Sequence, residues 1–185
     1  MIYVIDHEDS FTYNLVHLLE GFAPTYVSNY YDINWRQLEK SKIIIFSPGP
    51  GNPSNYPETQ KIYNKYKGKK KIIGICLGFQ QILYAEKAHI VPQKKIYHGY
   101  QSRIKSLKES ALFKPNKVFL AGRYHSLKLK EPFNSLSLKI TMRCLESNVA
   151  MAIEDTINNV YGFQFHPDSF LTVDGKFLIQ KVLQF

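Results

Sequence analysis

Apolar residues in this chain fall into two rhythms. Unbroken, β-branched runs such as Ile43-Ile44-Ile45-Phe46 and Ile72-Ile73 mark strands buried on both faces, whereas apolar positions three and four apart, as in Phe11, Leu15, Leu18 and Leu19, mark one face of a helix. Over residues 1–84 the two alternate. Strands are expected over 1–5, 25–27, 43–46 and 72–75, and helices from a cap at Asp9 or Ser10 to about Glu20, then over 34–40, 58–66 and from Leu77 to about Tyr84. Such alternation predicts an α/β fold, an open, mostly parallel, doubly wound sheet with helices on both faces. Beyond Lys87 the rhythm shortens. Strands are expected over 89–91, as an antiparallel pair within 96–107, and over 118–124, 136–141, 149–153 and 160–165, before a last helix over 176–183. No linker or repeat interrupts the pattern, so residues 1–185 read as a single domain with a small antiparallel addition.

Composition narrows the class. Hydrophobic residues at 44% and charged residues at 21% describe a globular protein large enough to bury a core without staples. No charged-then-apolar leader and no bilayer-length apolar run is seen, so a cytoplasmic protein with no membrane association is expected. The net charge of +9 would suit a nucleic-acid binder, but the lysines are scattered, and the tightest group, 67–71, lies on a turn. We read it as a solvated surface and expect no nucleic-acid partner. Two cysteines, Cys76 and Cys144, make no disulfide framework; Cys144 reads as structural.

The chemistry centres on Gly74-Ile75-Cys76-Leu77-Gly78, where a strand passes into a helix. A nucleophile on such a turn needs small neighbours because the backbones approach closely, and Gly74 and Gly78 supply them. The helix N-terminus favours negative charge on the sulfur, and the Leu77 N–H can face an oxyanion beside it. A lone cysteine is more often a small core residue, but packing alone has no need of the two glycines.

A parallel neighbouring strand leads into Ser47-Pro48-Gly49-Pro50-Gly51, a stiff loop able to bring N–H groups to a ligand at the same sheet edge. The nucleophile also needs a base. His7 and His166 each follow a strand and precede a carboxylate by two residues. Asp9 is expected to be occupied at the first helix, which favours His166, with Asp168 as its orienter. In Arg123-Tyr124-His125-Ser126-Leu127, His125 is a rival base, or the segment holds substrate through its backbone and Ser126; we favour the second.

Assembled, these stretches resemble the class I (triad) glutamine amidotransferases. The resemblance covers nearly the whole chain, and Asp9-Ser10-Phe11-Thr12-Tyr13-Asn14 with the 123–127 segment resembles the branch that serves chorismate-utilising synthases. It implies a glutaminase subunit that hydrolyses L-glutamine through a thioester on Cys76. His166 and Asp168 would complete the triad. Leu77 would supply one oxyanion N–H and Gly49 or Gly51 the other, since Pro50 has none. Gly49, Pro50, Gly51, Leu77, Gln80, Ser126 and Leu127 match positions that bind glutamine.

It also implies no metal or cofactor. The partner it implies is a chorismate-binding synthase large subunit, making anthranilate (tryptophan biosynthesis) or 4-amino-4-deoxychorismate (folate biosynthesis). Three residues depart from the family pattern. Asp168 replaces the usual Glu and shortens the reach to His166 by roughly 1.5 Å, Phe79 stands where many members have His, and Tyr100 where Lys is common. A non-catalytic scaffold that binds a synthase, and a free-standing cysteine hydrolase, are the alternatives.

Overall fold

A computed structural model describes residues 1–184. Its strands are Ile2–Asp6 (β1), Thr25–Asn29 (β2), Ile43–Phe46 (β3), Lys71–Ile75 (β4), Ile90–Pro92 (β5), Tyr100–Ser106 (β6), Val118–Arg123 (β7), Leu127–Leu129 (β8), Lys139–Cys144 (β9), Ala150–Asp155 (β10) and Val160–Phe163 (β11). Its helices are Thr12–Glu20 (α1), Trp35–Lys40 (α2), Pro57–Tyr66 (α3), Leu77–Ala85 (α4) and Gly175–Gln184 (α5).

Nine strands form one sheet in the order β2-β1-β3-β4-β11-β10-β9-β6-β7. The first five run parallel, and each of β1, β3, β4 and β11 ends in a loop at the same carboxyl edge. Helices cover both faces, as a sheet of β-branched strands requires. Leu15 and Leu19 of α1 and Leu178 and Val182 of α5 pack in one core, while Leu38 of α2, Ile62 of α3 and Phe79 and Leu83 of α4 pack in the other. Phe79 is fully buried, so at this position the residue acts through packing.

The doubly wound reading of the first half holds, and four details differ. The antiparallel addition is not small: β10, β9, β6 and β7 extend the same sheet, joined to it where β10 pairs with β11. The pair expected within 96–107 is one strand, β6, which pairs with β7 and β9. Residues before it are held differently, because Tyr97 and Gly99 donate their N–H groups to the carbonyls of His125 and Arg123. Strand β8 has no counterpart among the expected strands; it has three residues, and its partner β5 lies far back in the chain.

Helix α1 begins later than the Asp9 or Ser10 cap implied. Asp9 instead folds a turn before it, Oδ1 accepting the Phe11 N–H at 2.8 Å.

The 67–71 lysines are not simply a solvated face. Lys71 is buried, its Nζ donating to the Val182 carbonyl at 2.7 Å, where a cation meets the negative end of α5. Lys67 pairs with Glu86 at 2.6 Å. No helix among the described residues is long and apolar enough to cross a membrane.

Candidate active site

Cys76 occupies the junction of β4 and α4 with φ 52° and ψ −100°, a conformation that costs a non-glycine residue about 1–3 kcal/mol. Its surroundings hold it there. The Cys76 N–H donates to the Phe163 carbonyl of β11 at 2.8 Å. The glycines of the motif are needed for contact: a Cβ on Gly74 would lie 2.3 Å from the Gly78 carbonyl oxygen, and one on Gly78 only 2.1 Å from that of Phe46. Helix, β4 and β3 therefore touch backbone to backbone, and the N–H of Leu77, first residue of α4, lies outside the intrahelical ladder.

The loop after β3 is shaped from beneath by a residue the sequence offered as a possible base. Ser47 Oγ accepts the His7 N–H at 2.9 Å, and Gly49 is pressed between His7 and Leu77, where a Cβ would come within 2.6 Å of each. Tyr56 holds the far side of the loop by donating to the Pro50 carbonyl at 2.8 Å. A pocket of about 230 Å³ opens above Cys76. That volume lies below the roughly 300–1,000 Å³ of drug-sized sites and suits one small polar molecule. All seven residues expected to bind substrate line it: Gly49, Pro50, Gly51, Leu77, Gln80, Ser126 and Leu127. Tyr124 and His125 line it too, as the substrate-holding reading of the 123–127 segment expects, and so does Asp9, unforeseen in that role.

His166 lies behind the sulfur rather than in the pocket wall, and is 1% exposed. Its N–H donates to the Gly122 carbonyl, and its own carbonyl accepts from Thr172 Oγ1. Burial opposes a charge on the ring, but the Cys76 sulfur and the Asp168 carboxylate beside it outweigh burial and push its pKa up to about 10. The Asp168 pairing is loose. Nδ1 and Oδ1 stand 3.8 Å apart, and no nitrogen of the ring or oxygen of the carboxylate closes a hydrogen bond. The rings of Phe11 and Tyr124, each with its centroid 5.0 Å from that of His166, hold the imidazole instead.

Gln164, which the sequence reading passed over, approaches Cys76 Sγ with Nε2 at 3.8 Å, while its Oε1 accepts from Gln80 Nε2 at 3.0 Å. It precedes His166 by two positions, and alternation along an extended segment could have found it.

The other two candidate bases are spent. His7 is fully buried between Ser47 and Thr59, its ring nitrogens 3.2 and 3.0 Å from their hydroxyl oxygens, and burial pushes its pKa down to about 3. His125 accepts from Arg123 Nε at 3.0 Å and so donates from Nδ1 to the Leu127 carbonyl; burial, then the Arg123 charge, pushes it down to about 3 as well. Arg123 itself is fully buried against the Tyr97 ring and donates to Cys144 Sγ at 3.4 Å, which places that cysteine in a structural role.

Below pH 6.5 the unfolded chain protonates both histidines and the folded chain neither. The contribution of these two histidines is therefore complete above that pH and is expected to be lost on acidification toward 3, whereas that of His166, raised to about 10, is expected to be lost in the opposite direction, as the pH rises from 6.5 to 10. The slope would reach about 2.7 kcal/mol per pH unit for two protons. Urea unfolding at pH 7, 6 and 5 measures it, and a flat profile would mean that neither histidine is held neutral.

A family model described as Glutamine amidotransferase class-I matches residues 3–184. The anthranilate synthase component 2 of Lactococcus lactis is 36% identical over 97% of this chain and 92% of its own length. That of Pyropia yezoensis is 38% identical over the full length of both. Among solved structures, a putative GMP synthase protein from Thermoplasma acidophilum shares the fold with a TM-score of 0.84, covering 99% of this chain and 92% of that one at 18% identity. With its sheet order, its strained cysteine and these likenesses, the chain belongs to the class I glutamine amidotransferase family.

Proposed function

We propose that this chain is the glutaminase subunit of anthranilate synthase, hydrolysing L-glutamine and passing the ammonia to a chorismate-binding large subunit. The observation that carries the reading is the pocket above Cys76, a small polar cleft with a nucleophile at its floor, a buried base behind it and N–H donors beside it. The names of the relatives favour anthranilate over 4-amino-4-deoxychorismate as the partner's product.

The chemistry follows from the geometry. Cys76 Sγ, with His166 holding the proton, attacks the side-chain amide carbon of glutamine. Charge moves to the amide oxygen, where the N–H of Leu77 and that of Gly49 stabilise it; Gly49 is the better placed of the two glycines because it packs on Leu77. His166 then gives its proton to the departing nitrogen as the C–N bond breaks, and ammonia leaves. Water, deprotonated by His166, attacks the thioester; the C–S bond breaks, and glutamate and the free sulfur result.

An electrophilic glutamine analogue and intact-mass measurement test the reading. One adduct is expected on the wild type, absent from Cys76→Ala and suppressed by excess glutamine. Addition of a chorismate-binding subunit is expected to raise both labelling and glutamine turnover. No adduct in its presence would leave a scaffold that binds a synthase without catalysis. Comparing an anthranilate-forming with an aminodeoxychorismate-forming subunit separates the two products.

A further inference from the structure

Glutamine presents two ends to a protein. The amide must lie at Cys76, and the other end carries an ammonium and a carboxylate, which a selective site has to recognise. The lining of the pocket is predominantly polar, and His125 within it is neutral. Asp9 alone among the described lining residues carries an ordinarily charged side chain.

Its geometry is that of a carboxylate kept in reserve. Oδ1 accepts the Phe11 N–H at 2.8 Å, and the Asp9 carbonyl accepts that of Thr12 at 3.1 Å. The first bond fixes the side chain, and the second the backbone of Asp9, to the same turn that places the Phe11 ring against His166. None of the ion pairs among the described residues includes Asp9, although Lys and Arg number 24 against 15 Asp and Glu. Neighbouring Glu8 is engaged elsewhere, accepting from the Tyr31 hydroxyl at 3.1 Å. Asp9 also faces the loop after β3: the Tyr56 hydroxyl, which donates to Pro50, is raised in pKa first by burial and then by Tyr30, Glu8 and Asp9.

We propose that the Asp9 carboxylate binds the α-ammonium group of glutamine and so makes the site selective for an amide that is also an α-amino acid. The inference rests on the glutaminase reading above. Oδ2 is the receiving atom, and the bond is charge-assisted on both sides. Simple ω-amides, which share the reacting group, would lack this contact.

The test compares L-glutamine with 4-carbamoylbutanoate, the same molecule without its amino group, using the full chain together with a chorismate-binding subunit. Each is measured as a substrate, and the second also as a competitive inhibitor of the first. Wild type is expected to prefer glutamine strongly. Asp9→Asn keeps an oxygen for the Phe11 N–H, so the turn survives. It is expected to lose roughly tenfold to a hundredfold in kcat/KM for glutamine, carried by KM, the range of one hydrogen bond to a charged group. Its constants for 4-carbamoylbutanoate should not move, so discrimination collapses.

An unchanged KM for glutamine, or an equal loss for both amides, would overturn the assignment, the latter because Asp9 would then be shaping the loop. Equal use of both amides by the wild type would remove the ammonium subsite while leaving the glutaminase reading intact. Hydrolysis of neither would remove both.

Discussion

Replacing His166 with alanine is expected to lower kcat for glutamine by about 10⁴-fold, the upper range for a positioned general acid–base. Both proton transfers depend on this one ring, and His7 and His125 are held neutral by burial with their nitrogens committed to Ser47, Thr59, Arg123 and Leu127. Asp168 should behave otherwise. At 3.8 Å from Nδ1 it orients the ring weakly, and Phe11 and Tyr124 share that task. Asp168→Ala is expected to cost on the order of tenfold, well below the loss of the base itself. Asp168→Glu adds roughly 1.5 Å of reach, enough to close a hydrogen bond, and is expected to raise kcat severalfold. Steady-state ammonia release in the presence of a chorismate-binding subunit measures all three. A Glu variant as slow as the Ala variant would mean that the pocket around Asp168 has no room for the longer side chain and that the loose pairing is the working arrangement.

Gly78→Ala is expected to be strongly destabilising. In an open helix the change would stabilise by about 1 kcal/mol, because alanine is the better helix former. Here the new Cβ meets the backbone of Phe46 at 2.1 Å for oxygen and 2.7 Å for carbon. Neither α4 nor β3 has a flexible side-chain end to move aside, so the cost is expected to be about 3 kcal/mol or more, the upper range for overpacking. The shift also separates Leu77 from Gly49, so labelling of Cys76 should slow even in the folded fraction. Urea unfolding with parallel labelling checks both, and a variant as stable as the wild type would show that the contact yields.

What was legible in the sequence was local. The Cys76 turn stood out because its β-branched run, its two glycines and its helix lie within a dozen residues, and the parallel half of the sheet followed from alternation. The loop after β3 was placed correctly at the same edge by topology alone. The misses have long reach in common. The pairing of β10 with β11 that fuses the antiparallel strands to the main sheet, the short β5–β8 pair, and the partners of His7 at Ser47 and Thr59 are all set by tertiary contact. A His-x-Asp pattern reads alike whether the ring faces a sulfur or supports a loop, so His7 and His166 could be told apart only by what surrounds them. Asp9 was read as a helix cap because Asp before an apolar stripe signals one. Its turn geometry, with Oδ1 on the Phe11 N–H, satisfies that signal and still leaves Asp9 among the residues that line the pocket.

The position of β11 governs when the protein acquires its reactivity. It lies between β4 and β10, so the strands made first and the antiparallel strands made later share no sheet neighbour until residues 160–163 slide between them. The same strand anchors the Cys76 N–H through Phe163 and leads directly into His166. As the ribosome extends the chain, the sulfur is thus synthesised 90 positions (166 − 76) ahead of its base and stays chemically idle while the β1–β4 layer gathers. Such late, long-range pairing slows folding, and in exchange the sulfur has no base until the central gap of the sheet is filled.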